Sequence, residues 1–136
     1  MALKDLIERG FGIDRDFNCA EKILYGANEV YRLGLDKKSL KMAAGFGGGM
    51  AVGSVCGALT GSIMVLGNLF VRDRAHESTR IKDLVKEMLA SYEKEMGCIN
   101  CEPLKAKYRT EKEKCNYVIL KAAEALDAIV RREREK

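Results

Sequence analysis

Gly45-Phe46-Gly47-Gly48-Gly49-Met50-Ala51-Val52-Gly53-Ser54-Val55-Cys56-Gly57-Ala58-Leu59-Thr60-Gly61 lies inside a run of 30 residues, Met42 to Val71, that carries no charge. Such a run exceeds the roughly 20 residues that span a bilayer. Gly45, Gly49, Gly53, Gly57 and Gly61 also recur every four residues, as on a close-packed membrane helix. Composition decides against that alternative. Glycine costs about 1 kcal/mol relative to alanine in a helix, and Gly47-Gly48-Gly49 reads as a loop. The apolar remainder, Val55 to Val71, is short for a span and holds Gly57, Gly61 and Gly67. The segment is therefore read as a glycine-rich loop followed by a buried central helix over Val55–Leu69.

Outward from this segment the chain reads as helix. Asn18 with Glu21 forms a capping-box pattern ahead of Ala20, Ile23, Leu24, Ala27, Val30 and Tyr31, which repeat at helical spacing and stop at Gly34. Asp36 can cap a short helix through Leu40 and Ala43. Ile81, Leu84, Val85, Met88, Leu89, Tyr92 and Met96 form an apolar stripe ending at Gly97. Thr110 with Glu113 is a second capping-box pattern, ahead of Val118, Ile119, Ala122, Ala123, Leu126, Ile129 and Val130. No alternating run is long enough for a strand. The expectation is an all-α fold, a compact bundle of four to five helices with a buried glycine-rich central helix. It should form one domain over residues 1–136, with no linker-like tract.

The charges set limits on partners. Basic residues number 24 and acidic ones 20, a net charge of +4. They are interleaved, as in Arg131-Arg132-Glu133-Arg134-Glu135-Lys136, and the chain has no tryptophan. This is the pattern of a solvated helix end, so no nucleic-acid partner is expected. The first nine residues mix charges into the apolar positions and do not form the apolar core of a signal peptide. The expected setting is the cytoplasm, with no membrane partner. A glycine-lined apolar segment suggests a homodimer.

In a reducing compartment, cysteines more often serve metal, redox or catalytic chemistry than structural disulfides. There are five: Cys19, Cys56, Cys98, Cys101 and Cys115. Cys19 falls in the first turn of a helix capped by Asn18, and Cys56 falls at a helix start that Ser54 can cap. The partial positive charge of a helix N-terminus favours thiolate, so both are expected to have lowered pKa values. Cys115 lies near the apolar face of the last helix. The glycines before Cys56 permit close backbone approach to a ligand or cofactor. The single histidine, His76, sits among charged residues and reads as exposed. The Gly45–Gly49 loop lacks the Lys-Ser/Thr of a phosphate-binding loop.

Asn18-Cys19-Ala20, Gly45-Phe46-Gly47-Gly48-Gly49-Met50, Cys56-Gly57-Ala58-Leu59-Thr60-Gly61 with Met64-Val65-Leu66-Gly67, Asn100-Cys101 and Cys115 occur in an order that resembles the C_GCAxxG_C_C family, described as redox-active. The resemblance runs from about Phe17 to Leu126. It implies that Cys19, Cys56, Cys101 and Cys115 are the redox-active or metal-ligating set. Gly47, Gly48, Gly49 and Gly57 are candidate cofactor-contacting positions. Cys98 is an addition that makes Cys98-Ile99-Asn100-Cys101, and Cys56-Gly57-Ala58 departs from the Gly-Cys-Ala of the family's name. The chain is also similar to the non-haem part of split-Soret cytochromes c. Covalent haem does not transfer, because C-x-x-C-H is required and Glu102 follows Cys101.

Three uses of four converging thiolates stay open. An iron–sulfur cluster accepts four cysteines. Zinc does too, commonly as two closely spaced pairs, of which only one exists here. Thiol–disulfide exchange needs an attacking and a resolving thiol. The expected function is electron transfer through an iron–sulfur site or thiol–disulfide exchange with an unidentified redox partner. The alternative is a non-catalytic helical module holding structural zinc.

Overall fold

The computed structural model describes all 136 residues and is all-α. Seven α-helices form: α1 (Leu3–Glu8), α2 (Cys19–Val30), α3 (Lys37–Leu40), α4 (Gly57–Phe70), α5 (Arg80–Met96), α6 (Cys101–Tyr108) and α7 (Asn116–Arg134). Four or five were expected. The excess consists of short helices that periodicity does not reveal. α1 is a six-residue helix, and α6 is an eight-residue helix with a weak apolar face. Pro103 is harmless in α6, because a first-turn residue has no intrahelical use for its N–H. The other pairings outside helices are the isolated bridges Val55↔Asn100 and Thr110↔Lys114.

The caps account for most boundaries. Asn18 Oδ1 accepts the Glu21 N–H and Glu21 Oε1 accepts the Asn18 N–H, each at 2.9 Å, so α2 starts where the capping box places it. Asp36 Oδ1 accepts the Ser39 N–H at the start of α3. Gly97, at φ +88°, ends α5 and donates to Glu93 O. Two expected caps are not used. Thr110 Oγ1 accepts the Glu113 N–H, yet the chain then turns through Lys114 at φ +55°, and α7 begins only after Cys115. Ser54 does not cap α4; Cys56 is the N-cap.

α4 packs on α2, α5 and α7. Its closest approach is to α2. A Cβ added at Gly57 would stand 3.2 Å from Ala20 N, and one at Gly61 would stand 3.0 Å from Ala20 O. Any larger residue at either position separates the helices. The other glycines of the four-residue series serve different ends. Gly49 and Gly53 have φ of +63° and +71° in an irregular turn, and Gly45 has open space beside it. The series is therefore not one helix face, and no helix is long and apolar enough to cross a membrane.

The core is continuous: Ile23 and Leu24 of α2, Leu59 and Leu66 of α4, Met88 and Tyr92 of α5, and Ile119 and Leu126 of α7 are all buried in one cluster. α1 is held by an acid from the far end of the chain. Asp127, itself buried, accepts the N–H groups of Leu3 and Lys4 at 2.9 Å each, and the Tyr31 hydroxyl donates to it. Its carboxylate thus does for α1 what an N-cap residue normally does. Asp127→Ala should cost about 3 kcal/mol of unfolding free energy, because three donors lose a buried acceptor. Urea unfolding would measure this, and amide exchange should show α1 losing protection before the rest of the bundle.

Candidate functional site

Four of the five cysteines begin a helix. Cys19 and Cys101 are the first residues of α2 and α6, and Cys56 and Cys115 are the N-caps of α4 and α7. The folding of the glycine-rich segment brings these four helix starts together. Asn18, besides capping α2, donates through Nδ2 to Ala44 O at 2.9 Å, and Gly47 lies directly against its side chain. Gly57 presses on Phe46 O and on the Cys19 Cβ. Cys56 N donates to Ile99 O at 2.8 Å, and Cys101 N donates to Ser54 O at 2.6 Å. The segment before α4 is thereby stitched to the Cys98-Ile99-Asn100-Cys101 segment. Gly49 fits beneath, where a Cβ would meet the Cys101 Cβ at 2.8 Å.

Gly48, Gly49, Met50 and Ala51 are four consecutive left-handed residues, with φ of +67°, +63°, +60° and +66°. For Met50 and Ala51 this conformation costs about 1–2 kcal/mol each. The Ser54–Gly49 hydrogen bond and the packing of Ser54 and Cys101 on Gly49 hold the turn in place. Of the four glycines expected to contact a cofactor, Gly47, Gly49 and Gly57 are filled against by the chain itself. Only Gly48 has open space where a side chain would be, and it lines the cavity described below.

The thiols form a chain with Cys19 in the middle. The strongest influence on Cys19 is the Cys115 thiol, which donates to it and favours its thiolate. Donation from Cys19 to Cys56, burial, and the charges of Cys56 and Cys101 together outweigh this, and the Cys19 pKa is pushed up to about 12. Cys56 moves the other way. Its pKa is lowered first by the Cys19 donor, and the N–H groups of Ala58 and Leu59 in the opening turn of α4 add to this, against the opposing effect of burial. Cys115 is raised because its proton is engaged with Cys19. Cys101 is raised by burial, and Lys105 and Arg109 work against that rise.

The expectation that both Cys19 and Cys56 would have lowered pKa values therefore fails for Cys19. Two adjacent thiols cannot both ionise cheaply, and the helix-terminal N–H groups serve Cys56. Ionising one thiol of the row makes the next harder to ionise, and the titration belongs to the set rather than to single residues.

Cys98 is half-buried and lies on the side of Tyr92, whose hydroxyl is raised by burial and by Cys56, Cys19 and Cys98. His76 is exposed in the turn before α5. The four sulfurs are the right donors for an iron–sulfur cluster or zinc in chemical type. No group of three or more His, Cys, Asp or Glu side chains, however, is disposed to hold a metal ion as the chain stands.

An open cavity of about 660 Å³ fronts the row and is lined by Cys19, Cys101 and Cys115 but not by Cys56. Lys22, Lys105, Arg109 and Asn116 also line it, and none of them is singled out by motif. Helical spacing does contain the signal. Lys22 is three residues after Cys19, and Lys105 and Arg109 are four and eight after Cys101, so each shares a face with its cysteine. Reading this requires recognising α6.

This is a helical cysteine protein with its thiols gathered at helix starts. Residues 17–129 match the family model whose description is "Putative redox-active protein (C_GCAxxG_C_C)", and the chain belongs to that family. The likeness to split-Soret cytochromes c rests on the sequence motifs alone. No curated protein and no solved structure matches the chain.

The order of the thiol row generates a test. Cys19→Ala removes the donor to the Cys56 sulfur, so the Cys56 pKa should rise. Thiolate absorbance at 240 nm, followed against pH with Cys98 and Cys101 replaced by serine in both proteins, should show its lowest midpoint move upward. An unmoved midpoint would place the Cys56 shift on the helix terminus alone.

Proposed function

We propose that the chain is a thiol–disulfide redox protein in which Cys19 attacks and Cys56 resolves. The observation that supports this most directly is the position of Cys19, which lies on the cavity wall with Cys115 on one side and Cys56 on the other. Cys56 is 2% exposed and Cys101 6%, so neither meets a partner molecule directly. Cys19 and Cys115 are more accessible.

In the reduced protein Cys56 is the thiol that ionises first, with Cys19 donating to it. Transfer of that one proton moves the charge to Cys19, where the Cys115 thiol stabilises it. The Cys19 thiolate attacks one sulfur of a partner disulfide, forming a mixed disulfide and releasing the partner's other sulfur as thiolate, which takes up a proton. Cys56 then loses its proton and attacks Cys19 Sγ. The Cys19–Cys56 disulfide forms and the second partner sulfur leaves as a thiol. Two protein thiols have been oxidised and one partner disulfide reduced to two thiols.

With this reading go a reducing, cytoplasmic setting for the five free cysteines, a single domain over residues 1–136 and a homodimer. The remaining alternatives are set apart by the same experiment. Protein purified anaerobically, treated with 2-hydroxyethyl disulfide and then alkylated should lose two reactive thiols. Peptide mapping should join Cys19 to Cys56. Cys98→Ser should behave as the parent, and Cys19→Ser should form no intrachain disulfide. Five alkylated thiols after treatment, or a disulfide to Cys98, would overturn the mechanism. Iron and sulfide bound stoichiometrically before treatment, and lost in Cys19→Ser, would assign the row to a cluster; zinc in their place would assign it to a structural module.

A further inference from the structure

The cavity in front of Cys19 holds two features that the thiol row does not use. Lys22 is only 9% exposed, and its ammonium forms neither a hydrogen bond nor an ion pair, although the residue lies on the cavity wall. The ammonium itself keeps access to solvent, so it stands free at the wall for an anion in the cavity. Asn116 Oδ1, from the first turn of α7 on the same wall, is the one buried side-chain oxygen or nitrogen in the protein without a hydrogen-bond partner. An unpaired cation thus faces the space beside Cys19, and an unpaired acceptor lies covered within the same wall.

The rim has the same sign of charge. Lys105, Arg109, Lys112 and Lys114 join Lys22 around the cavity, against the carboxylates of Glu8, Asp16 and Glu113. None of the five cations is in a salt bridge, whereas other bases of the chain are, such as Arg132 with Glu87 and Lys121 with Glu95. Lys105 and Arg109 also act on Cys101 and Cys115, favouring their thiolates. They are therefore close enough to the sulfurs to bind the flank of a molecule whose sulfur lies at Cys19. The volume, about 660 Å³, is that of a small-molecule site and too small for a folded protein domain.

We propose that this cavity binds a small, carboxylate-bearing peptide disulfide, with a carboxylate on Lys22 and a second anionic group at the Lys105–Arg109 rim. The complex sets the ligand's disulfide against the Cys19 sulfur. The inference rests on the exchange reading for the chemistry but not for the binding. In the exchange the ligand's S–S bond breaks, its two halves leave as thiols and the Cys19–Cys56 disulfide forms.

Two readouts separate binding from chemistry. S-Methylglutathione carries the carboxylates and amides but cannot exchange, so its affinity, measured by calorimetry, reports recognition alone. It should bind, weakening as salt is raised, and Lys22→Met should reduce affinity by about tenfold, the worth of one charge-assisted hydrogen bond. Because most of the Lys22 side chain is covered by its neighbours, the exposed Arg109→Gln serves as a second variant with the same direction of effect.

Oxidation rates of the protein by oxidised glutathione, 2-hydroxyethyl disulfide and cystamine report the chemistry. The anionic disulfide should react at least about tenfold faster than the cationic one at low salt, and both substitutions should shrink that ratio. No binding of S-methylglutathione together with equal rates for the three disulfides would overturn the inference and leave the exchange reading intact. Binding that depends on Lys22, with no oxidation by any of the three, would keep the site and remove the exchange reading. No binding and no oxidation would remove both.

Discussion

The contact on which the site depends is the approach of α4 to α2 at Gly57 and Gly61. Ala20 occupies the space that side chains would fill at these two positions, with its N 3.2 Å from a Cβ on the first and its O 3.0 Å from a Cβ on the second. Cys19 and Cys56 each stand one residue before a member of this contact, Ala20 and Gly57. The separation of the two cysteine backbones is therefore set by close helix packing. A methyl group at Gly57 would meet Phe46 O, Ala20 N and the Cys19 Cβ at once. In a close-packed interior such a group is accommodated only by moving the helices apart. The glycines thus act on the chemistry indirectly, by allowing two helix starts to share one place.

Much of this was legible in the sequence wherever a local pattern coincided with a tertiary need. Asn18 and Glu21 specify the start of α2 whatever surrounds it, and Gly97 ends α5 for a purely local reason. The four cysteines were identified by motif, and their positions at helix starts were half visible. Cys19 could be placed by its cap, while Cys101 could not, because α6 has no side-chain cap hydrogen bond and a weak apolar face. Thr110–Glu113 misled in an instructive way. The side chain does make its capping bond, but the backbone reverses at Lys114, so Cys115 and not Thr110 borders α7. Asp127 capping α1 across 124 residues has no sequence signature at all.

The pKa values illustrate a second limit. A helix N-terminus favours a thiolate, and that argument applied equally to Cys19 and Cys56. It omitted their contact. Once two thiols share a proton, ionising one makes ionising the other expensive, and the site must choose. The choice falls on Cys56 because Cys19 donates to its sulfur and, in smaller part, because Ala58 and Leu59 direct N–H groups at it. Sequence can name the members of such a set. The order in which they titrate depends on which sulfur faces which, and that is a property of the packed structure.

That order also explains why the most acidic thiol lies deepest. A buried thiolate at the base of the row cannot attack a molecule in the cavity, but it can hold charge there and release it forward by a single proton movement. Cys19, raised to about 12, holds its proton more firmly than Cys56, which is lowered. In the proposed exchange it becomes the nucleophile when Cys56 accepts that proton. Nucleophilicity rises with pKa, so a thiolate formed at Cys19 in that exchange would have a more reactive sulfur than a strongly acidic thiol offers. The cationic rim works on the same charge from outside, since an anionic ligand neutralises it on arrival and reduces its pull on the thiolates. The left-handed turn at Gly48–Ala51 is where these requirements meet. It seats Gly49 under Cys101, leaves Gly48 open to the cavity and carries two non-glycine residues in a conformation that the surrounding contacts must maintain.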